Sequence, residues 1–396
     1  GPTVSPGAHL RGLFEWRICS RCFLLPCLLL SSSLKRDGCS AVNAGNTKRV
    51  RTKKVPDAVI ARLGSTYFAW LEAHPDIAPQ LQGALRELML DAGINFDRVD
   101  VRVKTWPSLK AKARKLRDDE TPAYPDPWND IRDIIGARVT VLHSTEIPAV
   151  QRLLADQFDV LRSVDKAEET RVAGGFGYGS HHLLVRITAQ SEGLEAYEGT
   201  VVEVQIRTVL QHAWAEFEHD IRYKRVGSGG LDPQVDRAFT LAAGLIELAD
   251  QQFDQIADIA QPFQPRAAGS VEGAAAVADI DAELSPETLP GILTIVLGPR
   301  FPVSRVDDYR FLHELLRAHG IEDVAALGEL INPADMEAVS NSLAYRFIPG
   351  QVRIVDDLLL NRFGVEHIER TAEAGHRPEE RRTRLTRRLQ QLRGSH

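Results

Sequence analysis

From Pro56 onward, apolar residues recur at two periods, one helical and one strand-like. "VPDAVIARLGSTYFAWLEAH" sets Val59, Leu63, Phe68 and Leu71 on one helical face, and "IAPQLQGALRELMLDAG" predicts a second helix capped by Gly93. "VDVRVK" at 99–104 alternates as a strand. Two helices follow, "PSLKAKARKLRDD", with Pro107 in its first turn, and "PWNDIRDIIG", ending at Gly136. "ARVTVL" is a strand, "IPAVQRLLADQF" a helix, and "HLLVRIT" and "TVVEVQIRT" are strands. "VLQHAWAEFEHDIRYK" and "PQVDRAFTLAAGLIELADQQFDQIADI" are long amphipathic helices, with more apolar surface than one small sheet can cover. Helices interleaved with strands over 57–261 predict an α/β (α+β) domain. A Pro-, Gly-, Ala- and acid-rich stretch, 262–290, reads as a linker, and 291–376 as a small, mostly helical domain. Residues 377–396 form a basic amphipathic tail, either a solvated helix or a contact with RNA or a partner.

Alternate residues of a strand share a face. On one face the four predicted strands carry Val101 and Val103; Val139 and Val141; Leu183, Val185 and Ile187; Val202, Val204 and Ile206. On the other they carry Arg102 and Lys104; Arg138 and Thr140; His182, Leu184 and Arg186; Glu203, Gln205 and Arg207. A solvent-washed face would alternate in this way, but arginine on all four strands with a carboxylate among the cations fits a phosphate site better. The helix after the first strand adds Lys110, Lys112, Arg114 and Lys115, and its start near Ser108 offers backbone N–H groups to an anion. Asp133 and Glu203 suit Mg²⁺, which takes one or two carboxylates and lets nucleotide phosphates complete its shell. The alternative is two ion pairs, Asp133 with Arg132 or Arg138 and Glu203 with Arg186 or Arg207. In "GYGSHH", Tyr178 sits between glycines, as either a hairpin-turn tyrosine or a platform for a base.

Composition adds limits. Net charge is −6 over 396 residues, so a polyanion site must be local. All four cysteines, Cys19, Cys22, Cys27 and Cys39, lie at the front, which leaves a body without thiols and suited to a reducing cytoplasm. Their spacing admits zinc but matches no standard ribbon. "CFLLPCLLL" follows Arg11, Arg17 and Arg21 as in a signal peptide, yet it is short, broken by Pro26 and unable to span a bilayer. Residues 1–56 are therefore expected to be a disordered leader and basic linker, with Gly1-Pro2 resembling a cleavage scar, and no membrane contact is expected.

"RVKTWPSLKAKARK", "DIIGARV", "GYGSHH", "VEVQIRT" and "HAWAEFEHDIRYK" stand in the order and spacing of a known family. Together they resemble the synthetase domain of RelA/SpoT-type enzymes, in particular the small alarmone synthetases, over about residues 57–260. The resemblance implies a nucleotidyltransferase-like mixed β-sheet flanked by helices. It also implies transfer of pyrophosphate from ATP to the 3′-hydroxyl of GDP or GTP, giving (p)ppGpp with Mg²⁺. By resemblance, Arg102 and Arg138 hold adenine, and Lys104, Ser108, Lys112 and Lys115 take the ATP phosphates. Asp133 and Glu203 bind the metal, with Glu203 also placed at the acceptor hydroxyl as base or as orienting ligand; Gln205 and His182 support the reacting groups. Tyr178 stacks on guanine, with Ser180 and Arg207 in the same acceptor site. Many relatives have lysine and asparagine before the glycine-tyrosine pair, where this chain has Gly174, Gly175 and Phe176, so the choice among GMP, GDP and GTP stays open. Hydrolysis is not expected, because His219-Asp220 falls inside the synthetase's own last block. Relatives imply a homo-oligomer, a tetramer by analogy. Two other functions remain: a toxin-type relative acting on tRNA 3′ ends or adenine nucleotides, and a nucleotide-sensing module without turnover.

Overall fold

The computed structural model describes residues 54–166, 168–169, 179–224, 233–260, 283–375 and 378–394. Residues 1–53 of the expected leader, the 262–282 part of the linker and Tyr178 lie outside the described residues. Two helices lead into the sheet. α1 (Asp57–Ala73) buries Ile60, Leu63 and Tyr67, a face rotated from the expected one, and Phe68 is exposed. α2 (Ile77–Asp91) buries Ile77, Leu81, Leu85 and Met89. It closes as the sequence predicts: Gly93 adopts φ +69°, its N–H donates to Leu90 O, and Ile94 N–H donates to Met89 O.

The strands are β1 (Phe96–Val103), β2 (Ile135–Val141), β3 (Asp159–Asp165), β4 (His181–Arg186) and β5 (Val201–Thr208), in the order β1-β2-β5-β4-β3. β2 and β5 are parallel and the other neighbours antiparallel. β3, the edge strand, was not expected from "DVLRSVD", whose alternation is broken by the adjacent Val160 and Leu161 and whose register slips between Val160 and Arg162. α3 (Trp106–Ala113) is shorter than the basic run predicts. α4 (Pro127–Asp130) is one turn, not a helix to Gly136: Ile131 is already extended, and every residue of β2 is buried, which imposes the strand period from Ile135. α5 (Ile147–Gln157) covers the apolar sheet face together with α2, so that Ala137, Val139, Leu183, Val185, Val204 and Ile206 share one core with Leu81, Leu85 and Leu154. α6 (Val209–Lys224) continues directly from β5, and α7 (Pro233–Ala260) pairs with it through Trp214, Phe239 and Ala243.

The C-terminal part is helical, as expected. It comprises α8 (Leu289–Leu297), α9 (Val306–Ala318), α10 (Val324–Leu330), α11 (Pro333–Leu343), α12 (Gln351–Phe363), α13 (Val365–Thr371) and α14 (Pro378–Gly394). α12 is its axis, with every residue from Gln351 to Leu360 buried. The basic tail differs from its expectation as a solvated helix. α14 buries Leu385, Leu389 and Leu392 in the domain core, and Arg381 and Arg388 are buried against carboxylates. Arg384 pairs with Glu87 at 2.9 Å and Arg387 with Glu195 at 3.2 Å. Four of the tail's arginines, Arg381, Arg384, Arg387 and Arg388, are thus paired with carboxylates within the chain. No helix among the described residues is long and apolar enough to cross a membrane.

Candidate active site

The sheet register assembles the polar face in rows. Arg102 lies opposite Gly136, Gly136 opposite Glu203, and Glu203 opposite Leu184. The next row runs Asp100, Arg138, Gln205, His182. The residues expected to handle nucleotide are therefore neighbours on one face, and the smallest residue of the first row, Gly136, leaves room between the arginine and the glutamate.

At the β1 end of this face a buried charged cluster forms. Lys104 Nζ and Lys112 Nζ each lie 2.9 Å from an Asp133 oxygen. Lys104 is 2% exposed, and its backbone is fixed by its own N–H to Ile134 O (2.7 Å) and by the Tyr67 hydroxyl donating to its carbonyl (2.9 Å). Burial would raise the Asp133 carboxyl, but the two ammonium groups outweigh it and hold the group below the usual carboxylate range. Burial also pushes the Lys104 ammonium down, with Asp133 opposing. The ion pairs expected for Asp133, with Arg132 or Arg138, are replaced by these two lysines. Lys104 Nζ faces the Asp133 carboxylate. Lys112, Lys115 and Ser108 are half-buried around the mouth, and the Thr105 hydroxyl donates to Ser108 Oγ at 3.1 Å.

Across the face, Ser180, His182 and Glu203 form a chain. Ser180 Oγ is 2.6 Å from His182 Nε2, and His182 Nδ1 is 3.1 Å from Glu203 Oε1. An ionised carboxylate only accepts, so Nδ1 carries the imidazole proton and the Ser180 hydroxyl donates to Nε2. Glu203 therefore pairs with His182, not with Arg186 or Arg207. Arg186 instead meets Asp159 on the edge strand at 3.3 Å.

α6 covers the rest of the face. Arg138, 6% exposed, points Nη1 at His212 Nδ1 (3.2 Å) and Glu216 Oε1 (3.3 Å). Burial and the Arg138 charge press the His212 pKa down, which keeps its ring a neutral acceptor. Burial, helped by Arg138, brings Arg207 down to about 10. His212 and Glu216 were not singled out from the sequence. The signal was there: they stand four apart in "HAWAE", on one face of the helix that follows β5. Gln205 Oε1 and Arg207 Nε are buried without a hydrogen-bonding partner of good geometry. Orphaned buried polar atoms are costly, and their concentration on one face marks a surface shaped for a polar ligand. The carboxylate oxygens of Asp133, held ionised by Lys104 and Lys112, and of Glu203 are the hard donors Mg²⁺ prefers, so the chemistry of these residues fits that ion.

Residues 101–228 match the family model described as "Region found in RelA / SpoT proteins". The GTP pyrophosphokinase YjbM of Bacillus subtilis (strain 168) is 29% identical over 167 residues, 41% of this chain and 72% of that protein. GTP pyrophosphokinase YwaC of the same organism is 29% identical over 123 residues, 31% of this chain and 56% of that protein. Among solved structures, small alarmone synthetase 1 from Bacillus subtilis bound to its product pppGpp is 24% identical, with a TM-score of 0.40, covering 50% of this chain and 99% of that one. Arg102, Lys104, Asp133, Arg138, His182, Glu203 and Gln205 of the polar face all fall within the matched region, so it is the part of the chain carrying these residues that is similar to RelA / SpoT proteins.

Proposed function

We propose that this chain transfers the pyrophosphate of ATP to the 3′-hydroxyl of GDP or GTP, forming (p)ppGpp. One observation carries this assignment: a buried lysine–aspartate cluster and a serine–histidine–glutamate chain share one sheet face with two arginines. Arg102 and Arg138 clamp the adenine, with Arg138 held in place by Glu216 and His212. Lys112, Lys115 and Ser108 take the phosphates. Lys104 keeps the Asp133 carboxylate ionised and oriented. Asp133 and Glu203 would hold Mg²⁺, which neutralises charge on the transferring group when bound. Glu203 receives the acceptor's 3′-hydroxyl as a hydrogen-bond donor and draws off its proton while the hydroxyl oxygen attacks the β-phosphorus and AMP leaves. His182, held by Ser180, fixes the Glu203 carboxylate, and Gln205 lies in the row beside it. The cysteine-free body suits a cytoplasmic enzyme.

The direct test is incubation with labelled ATP and Mg²⁺ plus GMP, GDP, GTP, ATP or tRNA, with products resolved by chromatography. A labelled guanosine tetra- or pentaphosphate is expected. Label on tRNA or on an adenine nucleotide would assign the chain to the toxin-type relatives, and no transfer to any acceptor would leave it a sensor.

Tyr178 is assigned to the guanine base. Tyr178→Ala should weaken GDP binding about 5- to 150-fold, the loss of a stack worth roughly 1–3 kcal/mol, and leave binding of a non-hydrolysable ATP analogue unchanged. Tyr178→Phe should be mild. Equal weakening of both nucleotides in calorimetry would remove the stacking role.

The assembly is a homo-oligomer built on α7. Leu241, Leu245, Leu248, Ile256 and Ile259 are all more than half exposed. They follow one another by three, four or eight residues and so form a single stripe, about 27 Å long at helical rise. Such a stripe exceeds what a monomer leaves in water without cost. Light scattering at micromolar concentration should give a multiple of the chain mass, and Leu245→Lys should give a monomer. A monomeric parent protein would refute the assignment.

A further inference from the structure

A cleft of about 800 Å³ opens between the synthetase-like domain and the C-terminal helices, on the side of the sheet away from the polar face. Its volume lies in the range of small-molecule sites, and seams between domains are where such sites concentrate. One wall belongs to the C-terminal helices and is apolar: Ile295, Val303 and Ile348 line it and are 43, 39 and 61% exposed. The other wall comes from the sheet domain and carries the polar groups, Glu146, Asn95 and Arg152. Asn95 Nδ2 donates to Glu146 Oε1 at 3.3 Å, which orients the carboxyl group where it lines the cleft as an acceptor. Burial raises the Glu146 pKa.

The cleft is not a slack gap between loosely docked parts. Gly350 N–H donates to Asp91 O at 2.7 Å and Gln351 N–H to Pro302 O at 2.9 Å. Arg353 and Arg388 both bond the Asp91 carboxylate across the seam. The backbones come so close that a Cβ on Gly350 would lie 3.0 Å from Gly93 N, and one on Gly93 3.1 Å from Val303 O. Hence both walls are held in fixed positions, and the apolar side chains stay apart with nothing among the described residues filling the space between them.

We propose that this seam cleft is a binding site for a small, predominantly apolar molecule with one hydrogen-bond-donating group, its body against Ile295, Val303 and Ile348 and its donor on Glu146. A highly charged ligand does not fit, because among the described residues the cleft offers one cation, Arg152, with Asp156 one turn along the same helix. The site is separate from the nucleotide face and does not depend on the activity proposed above.

Gly291 provides the test. It lines the cleft from α8, and a Cβ there meets nothing within 4 Å, so a side chain can be built from that position. The probes are 2-naphthol, indole and 4-hydroxybiphenyl, each an apolar body with one donor, titrated calorimetrically into the full chain. Saturable binding of at least one probe at one site per chain is expected, with a rise in melting temperature at saturation. Gly291→Phe should weaken that binding about tenfold or more while melting no lower than the parent, since glycine is the poorer helix former. Should Gly291→Phe misfold, Ile348→Asp, at an exposed position, should weaken binding similarly; Leu245→Lys on the distant α7 stripe should not. No saturable binding of any probe would overturn the site. So would binding that survives both cleft substitutions, or binding that Leu245→Lys abolishes.

Discussion

Glu203→Gln should abolish synthesis, lowering the rate by about 100-fold or more, while ATP binding stays close to the parent value. The substitution keeps the shape of the side chain and a carbonyl oxygen that can still accept from His182 Nδ1, now 3.1 Å from the carboxylate. What it removes is the negative charge and the basicity. Losing a general base typically costs about 10²–10⁴-fold. In the proposed reading ATP's base is held instead by Arg102 on β1 and by Arg138 on β2, the latter braced by His212 and Glu216 of α6. Single-turnover assays with labelled ATP read the chemical step, and calorimetry with a non-hydrolysable ATP analogue reads binding. Retention of more than about a tenth of the rate would show that Glu203 is neither base nor metal ligand. A parallel loss of ATP binding would instead show that the strand had shifted.

The faces of the sheet were legible because strand periodicity is local. Valine alternating with arginine or glutamine in "VEVQIRT" and "VDVRVK" fixes which residues point together, whatever the strand order. The register between strands was not legible, since it depends on pairings between distant segments. So the partners of the two carboxylates were misread. Sequence proximity suggested Arg132 or Arg138 for Asp133, whereas Lys104 reaches it because β1 and β2 pair and end together at Val103 and Ile135. His182 meets Glu203 for the same reason: β4 and β5 are adjacent, and Gln205 and Leu184 bracket the pair diagonally. The contribution of α6 was hidden in a different way. His212 and Glu216 read as an ordinary polar helix face until Arg138 is seen beneath them. The tail was misread from its composition. Arginines in "RPEERRTRLTRRLQQLR" suggest solvent, but their carboxylate partners lie outside the tail, at Asp91, Glu87, Glu195, Asp356 and Asp357.

That burial of arginine sets up the second large effect. Asp356→Ala should destabilise the C-terminal domain by about 3–5 kcal/mol, because it strips a fully enclosed guanidinium of its partner. Arg381 donates to both Asp356 oxygens, at 2.9 and 2.8 Å, and His367 Nε2 lies 2.9 Å from Oδ1. Arg381 and Asp356 are each about 5% exposed or less, so water cannot replace the lost bonds. Truncating Glu366, whose pair with Arg370 is about half exposed on both sides, should change stability by less than about 1 kcal/mol. The double variant Asp356→Leu with Arg381→Met should recover most of the loss, since replacing both members of a buried pair by apolar groups is often close to neutral. Urea unfolding followed by circular dichroism at pH 7 measures all four proteins. The acid dependence separates this pair from its neighbour. Burial would raise the Asp356 carboxyl, but Arg381 and His367 hold it well below the usual range. Its contribution is therefore complete above an ordinary carboxylate pKa near ~3.9 and is lost only in stronger acid, as pH falls through the folded-state value. His319, which stacks on Phe363 and bonds His367 Nδ1 at 2.9 Å, acts in a higher pH window: burial lowers it to about 4. The unfolded chain takes up a proton there near pH 6.5 and the folded one does not, so stability falls as pH drops from about 6.5 towards 4. His319→Gln keeps a donor for His367 and cannot titrate, and should flatten the stability profile in that window. If the slope between pH 6.5 and 4 survives in His319→Gln, the buried imidazole is not its source. If Asp356→Ala is as stable as the parent, the Arg381 pair does not hold this domain together.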